Sequence, residues 1–218
     1  MFVLSMLLMS INHKKRRKKV VFFGDSITEY GIRPGGYITH IRRILREEAK
    51  EDEYELTGEG VAGDKVYDLY LRIEADILSK GADVVVIFVG VNDVGHKFST
   101  LTGTDIQTFE TFYTAIINKL IAASIKVVLC TPCVIGERTD LISEVDTELN
   151  AFGDIIRNLA DEFYLPIVDL RLAFLSYNTV NNLENKEFGI LTYDKVHLNE
   201  VGNQLVASEM WKVLKDLK

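Results

Sequence analysis

Cysteine, proline and long apolar runs are all scarce in this chain, and each scarcity removes a class of explanation. The 218 residues hold two cysteines, Cys130 and Cys133, in "VVLCTPCVIG". Two cysteines cannot build a multi-bridge secreted scaffold, and without a second ligand pair they form no zinc site. A redox C-x-x-C normally opens a helix, whose N-terminus lowers the thiol pKa; this one follows a strand-like run with Pro132 inside it. Both cysteines are read as packing residues at a strand end. Only three prolines occur, and no repeat, low-complexity stretch or Pro/Gly/Ser linker divides the chain. A single domain over 20–218 is therefore expected, long enough to bury most of its apolar surface.

The start, "MFVLSMLLMSINHKKRRKK", has an apolar run of only about ten residues, half of what a bilayer-spanning helix needs. Its positive charge follows the apolar stretch and no small-residue cleavage site comes after, the reverse of a secretory signal. Residues 1–19 are read as a disordered tail. The basic cluster beside apolar residues would suit a weak peripheral contact with anionic lipid, without an integral membrane segment. With no recognisable signal and few cysteines, the cytoplasm is the expected compartment. Acidic residues are absent before Asp25, and residues 14–19 (KKRRKK) hold six of the 25 basic side chains. From residue 20 onward 19 basic residues face 32 acidic ones. A body that acidic repels phosphate backbones, so nucleic acid is not an expected partner.

What the chain does have is an alternation of β-rich runs and amphipathic stretches. Strands are predicted at 20–24 (VVFFG), 84–89 (VVVIFV), 126–131 (KVVLCT) and 166–170 (PIVDL), with a weaker one at 54–58 (YELTG). These runs are continuously apolar rather than alternating, as parallel strands covered on both faces are. Helices are predicted over 36–50, 66–80, 105–123, 146–163 and 199–216. Such alternation implies right-handed βαβ units and a three-layer α/β/α sandwich around a mostly parallel five-stranded sheet. Ligands of such sheets bind at the carboxyl ends of the strands, which places the loops after 24, 60, 89 and 131 on one rim.

Four polar segments fall on or near that rim: "GDSIT" (24–28), "GEGVAGD" (58–64), "GVND" (90–93) and "DKVH" (194–197). Any one of them is ordinary turn chemistry. Together they supply the parts of an acyl-transfer site. A serine such as Ser26 needs a base to take its proton, and the base needs a partner that fixes its tautomer. Asp194 and His197 are three apart, close enough to meet within one turn. "DVGH" offers the same spacing in Asp93 and His96, so a second dyad is open. Gly95 would leave that second pair looser, whereas Asp194–His197 leads into a helix that can hold it. Negative charge developing on a carbonyl oxygen needs preorganised donors, for which the Gly63 backbone N–H and the Asn92 amide are candidates. No G-x-S-x-G is present, and Ser26 lies far upstream of the other candidates, which argues against the α/β-hydrolase elbow. No G-x-G-x-x-G is present for a dinucleotide. Of four histidines, His13 lies in the tail and His40 on a helix, too few for a two-metal phosphoesterase. Neither a cofactor nor a metal is expected.

In their order and spacing the four blocks resemble the SGNH, or GDSL-type, hydrolases, and they span residues 24–197. The resemblance implies a flavodoxin-like fold and cofactor-free hydrolysis of esters or thioesters. Carried over by position, it makes Ser26 the nucleophile, His197 the base and Asp194 its orienting partner. It makes the backbone N–H groups of Ser26 and Gly63 and the side chain of Asn92 the oxyanion hole. One departure is that an asparagine often found ahead of the second block is replaced here by Gly58–Glu59, which leaves Gly60 as a lesser candidate donor. His96 is read as a rim residue touching substrate. Tyr30, Ile32 and Tyr37, close after Ser26, are candidate walls of an acyl pocket, with packing of the first helix as the other reading. The expected function is a serine esterase acting on a small alkyl, aryl or sugar-acetyl ester. The same site would serve an acyltransferase or thioesterase, and a catalytically silent carbohydrate-binding module is the alternative outside enzymes.

Overall fold

Runs of β-branched and aromatic residues pair into one sheet in a computed structural model that describes residues 16–140 and 143–217. The strands are β1 (Lys18–Gly24), β2 (Tyr54–Gly60), β3 (Val84–Phe88), β4 (Lys126–Cys130) and β5 (Ile167–Val168), in the order β2-β1-β3-β4-β5. All four pairings are parallel. The central strands are buried on both faces, which is why Val20–Phe23 and Val84–Phe88 run unbroken rather than alternating.

Helices α1 (Ser26–Gly31), α2 (Tyr37–Glu47), α3 (Val66–Asp76), α4 (Val91–Ser99), α5 (Ile106–Ala122), α6 (Glu144–Glu162), α7 (Leu170–Asn181) and α8 (Glu200–Leu214) cover the sheet. Successive residues of β1 point to opposite layers. Val20 and Phe22 pack in one cluster with Ile41 of α2 and Met210 of α8. Val21 and Phe23 pack in the other with Leu69 of α3, Ile116 of α5 and Phe152 of α6. The result is the expected three-layer α/β/α sandwich. Among the described residues no helix is long and apolar enough to cross a membrane.

Several boundaries differ from expectation. Strand β1 begins at Lys18, inside the stretch expected to be a disordered tail, because Lys18 and Lys19 pair with Tyr54 and Glu55. The Lys19 backbone N–H also donates to the Asp83 carboxylate at 2.7 Å, and Arg16 bonds the same carboxylate. Residues 1–15, the rest of the 1–19 stretch on which disorder and lipid contact are expected, lie outside the described residues. Strand β5 has two residues rather than five, because Asp169 turns to cap α7 through the Leu172 N–H. Helices α1, α4 and α7 were not expected. α1 and α4 follow strands almost at once, where glycine and small polar residues read as a turn, and α7 begins at the end of the stretch 166–170 expected as strand.

Candidate active site

Ser26 is the first residue of α1, directly beyond the C-terminal end of β1. Asp25 caps this helix, its Oδ1 accepting from the Ile27 N–H at 2.9 Å. The approach is so close that only glycine fits on either side. A Cβ on Gly24 would lie 2.2 Å from the Phe88 carbonyl oxygen, and one on Gly60 2.1 Å from the Glu29 nitrogen. Glycine at 60 thus lets α1 pack closely on β2, and Gly60, read as a lesser candidate donor, is not among the residues lining the cleft.

The Ser26 Oγ lies 3.0 Å from His197 Nε2, and His197 Nδ1 lies 2.7 Å from Asp194 Oδ2. The other Asp194 oxygen accepts the backbone N–H groups of Val196 at 3.1 Å and His197 at 2.7 Å. Burial pushes the Asp194 carboxyl up, but these hydrogen bonds from His197 and Val196 outweigh it and hold the pKa below the usual carboxylate range. An anionic Asp194 places the imidazole proton on Nδ1 and turns the Nε2 lone pair toward Ser26.

The segment carrying this pair is held from below. Glu137, fully buried, accepts the backbone N–H groups of Ile190, Leu191 and Thr192 at 2.8, 2.7 and 2.6 Å. The Gly136 N–H donates to the Lys195 carbonyl at 2.8 Å, inside the Asp194–His197 turn. Sequence reasoning missed Glu137. In "VIGERTD" nothing separates a carboxylate that gathers backbone amides from one facing water.

Across the cleft stand Gly63 and Asn92. Gly63 has φ +84° with nothing within 4 Å of where a Cβ would be, so backbone conformation rather than space demands glycine. Asn92 Nδ2 donates one hydrogen to the Asp64 carbonyl at 3.0 Å, which leaves its second N–H for the cleft. Arg72 joins the two sides, with Nε to the Asp64 carboxylate at 2.7 Å and Nη2 to the Gly24 carbonyl at 2.8 Å. Ser26, Gly63, Asn92, Asp194 and His197 line one cleft of about 430 Å³.

Tyr30 and His96 also line the cleft, and Tyr30 packs on the His197 ring at 5.1 Å. His96 comes from α4, where burial and the Lys65 charge lower its pKa. Asp93 points elsewhere: it is fully buried and accepts the Val66 N–H at 3.2 Å through both oxygens. Among the described residues no hydrogen bond joins it to His96, because Asp93 is engaged by the Val66 N–H in the core while His96 lines the cleft. Asp93–His96 therefore does not form the second dyad. Tyr37 is likewise corrected as a pocket wall. It is fully buried edge-on to Phe22 and Phe88, its hydroxyl 3.0 Å from Thr28 Oγ1, because α2 seats its first turn on the sheet. Cys130 and Cys133 are buried free thiols whose pKa burial pushes well up, as packing residues should be. Among the described residues no three His, Cys, Asp or Glu side chains gather so as to hold a metal ion.

A family model described as GDSL-like lipase/acylhydrolase matches residues 22–205. An acetylxylan esterase of Geobacillus stearothermophilus is 27% identical over 206 residues, covering 87% of this chain and 90% of that protein. The crystal structure of an acetyl xylan esterase, AlAXEase, is 56% identical and superposes with a TM-score of 0.87, over 89% of this chain and 98% of that one. A catalytic mutant of the G. stearothermophilus enzyme superposes at 0.79 with 22% identity, over 90% and 94% of the two chains, a likeness of fold. With a match that runs from the first strand into the last helix, the chain belongs to the GDSL-like lipase/acylhydrolase, or SGNH, family.

Proposed function

We propose that this GDSL-type esterase removes acetyl groups from sugar hydroxyls through an acyl-enzyme on Ser26, with His197 as base and Asp194 as its orienting partner. The observation that carries the reading is the unbroken relay Asp194–His197–Ser26, at 2.7 and 3.0 Å, ending in the cleft that Gly63 and Asn92 also line. A silent binding module has no need of that relay. The acetyl and sugar specificity comes from the two acetylxylan esterases to which the chain is similar.

In the first half-reaction His197 Nε2 takes the Ser26 hydroxyl proton as Oγ bonds to the ester carbonyl carbon. The carbonyl oxygen, now an anion, is held by the backbone N–H groups of Ser26 and Gly63 and by the free Asn92 amide hydrogen. Collapse re-forms the carbonyl and breaks the bond to the alcohol oxygen, which leaves with the proton from His197. In the second half-reaction water gives its proton to His197 and its oxygen to the acyl carbon; Ser26 departs protonated and acetate is released. Asp194 stays anionic throughout and stabilises the transient imidazolium.

The test is fluorophosphonate labelling mapped by mass spectrometry, alongside hydrolysis of 4-nitrophenyl acetate. An adduct on Ser26 is expected in the wild type and in His96→Ala, and its loss in His197→Ala. Ser26→Ala should lower kcat by about 10⁴ or more. A wild type with neither adduct nor hydrolysis would overturn the reading.

A further inference from the structure

Residues 61–64, which carry the proposed oxyanion donor Gly63, share their hydrogen bonds unevenly. The Val61 N–H donates to the Gly24 carbonyl at 3.2 Å, the Ala62 N–H to Glu29 Oε2 at 2.8 Å and the Asp64 N–H to the Val61 carbonyl at 3.2 Å. Among the described residues only the Gly63 N–H of this stretch has no acceptor. The Asp64–Val61 bond closes a four-residue turn with Gly63 in third place, where its φ of +84° fits type II. An N–H in that place is not used by the turn and stays free for a ligand.

Gly63 does not impose this conformation on itself, because glycine adopts either sign of φ. Rotating the peptide between Ala62 and Gly63 would swing the Gly63 N–H away while the Asp64–Val61 bond stays closed. What fixes the turn is the hold on its neighbours. After Gly63, Asn92 takes the Asp64 carbonyl and Arg72 the Asp64 carboxylate. Before Gly63, the Ala62 N–H is taken by Glu29, three residues beyond Ser26 on α1. The helix that presents Ser26 thus also holds the turn. The other Glu29 oxygen accepts from Arg33 Nη2 at 3.2 Å, and the Arg33 guanidinium lies 3.9 Å over the Tyr30 ring. Tyr30 in turn packs on His197, which gives Glu29 a second route to the site.

We propose that Glu29 is a positioning residue for ester hydrolysis: by holding the Ala62 N–H it fixes the turn from which the Gly63 N–H meets the developing oxyanion. The inference rests on the esterase reading above and adds a residue outside the Asp194–His197–Ser26 relay. Among the described residues the Glu29 carboxylate bonds no member of that relay, so it works through Ala62.

The experiment compares hydrolysis of 4-nitrophenyl acetate by wild type, Glu29→Ala, Glu29→Gln and Arg33→Ala, with kcat/KM followed across pH. The bond from Ala62 lies at the surface, where water can replace the carboxylate, so Glu29→Ala should fold. It should lower kcat about tenfold with KM little changed, a part of the 10²–10³ or so that loss of a whole oxyanion donor costs. Glu29→Gln keeps an oxygen for the Ala62 N–H and should recover most of that loss. Arg33→Ala spares the Ala62 bond and should stay within about twofold of wild type. The midpoint of the pH profile should not move, since the base and its partner are untouched. Wild-type kinetics in Glu29→Ala, or an equal loss in Glu29→Gln, would overturn the role while the active wild type keeps the esterase reading in place. The same loss in Arg33→Ala, or a shifted midpoint, would route the effect through Tyr30 and His197 and overturn it as well. A wild type without turnover would overturn the esterase reading itself, and the oxyanion role with it.

Discussion

Asp194 grips His197 twice: Oδ2 takes the ring Nδ1–H and Oδ1 takes the backbone N–H of the same residue, each at 2.7 Å. One carboxylate thus sets both where the histidine sits and which way its ring faces. Asp194→Asn keeps the size but loses the charge and offers an N–H where an acceptor is needed. Steady-state kinetics should show kcat lower by about 10³–10⁴, with an unchanged circular dichroism spectrum. A variant retaining a tenth of wild-type kcat would remove Asp194 from the mechanism.

Asn92 already spends one amide hydrogen on the Asp64 carbonyl, so its second is aimed by a fixed neighbour. Asn92→Ala should lower kcat by about 10²–10³ while KM for 4-nitrophenyl acetate changes little, as the proposed contact with an oxyanion present only in the transition state requires. A rise in KM at constant kcat would instead mark Asn92 as a ground-state contact.

Glu137 is the least visible support of the site. Glu137→Ala would strand the N–H groups of 190–192, two of them buried, with an expected loss of about 3 kcal/mol in urea unfolding. The surviving folded protein should also show reduced kcat, because the Asp194–His197 turn is stitched to the same segment. Glu137→Gln, which keeps one acceptor, should fall between the two. Equal activity per folded molecule in all three proteins would confine Glu137 to stability.

Asp25 gives the fold a pH dependence. Burial above all, and then the charges of Asp93 and Asp64, push its pKa up to about 7 against the hydrogen bond from Ile27. The unfolded chain releases this proton near the usual aspartate value of about 4, so between about pH 4 and 7 the folded state binds more protons. Stability from this group is therefore present at low pH and declines as pH rises through that window. Asp93, raised to about 6 mainly by burial, acts in the same direction. Asp25→Asn keeps the helix cap and removes the titration, so the drop in Tm from pH 5 to pH 8 should be smaller in the variant than in the wild type. An identical drop would refute the assignment.

The parts of this molecule that could be read from sequence are those that repeat a local rule. Val20–Phe23 and Val84–Phe88 announce buried parallel strands because nothing polar interrupts them. "GDSIT" and "DKVH" stand out because serine, aspartate and histidine cluster in short blocks. Helix α4 escaped because Gly90 and Gly95 bracket its first turns and read as loop, although its position brings His96 to the cleft and Asp93 to the core. Tyr37 is close to Ser26 along the chain but not at the cleft, because α2 turns it into the core. Glu137 gathers backbone N–H groups more than fifty residues away, and Arg72 reaches the Gly24 carbonyl 48 residues back; such bonds leave no spacing pattern to find.

The Glu137 clasp carries one more consequence. Ser26 opens α1 just beyond the end of a central strand, whereas His197 hangs from the segment between α7 and α8. That segment is held by hydrogen bonds to Glu137 and by the packing of Leu191 and Leu198, not by pairing in the sheet. Regions held in this way open locally at lower free energy than the core. Warming the enzyme should therefore silence it before it melts: activity is lost when the clasp lets go, while the sandwich is still intact, and it returns on cooling.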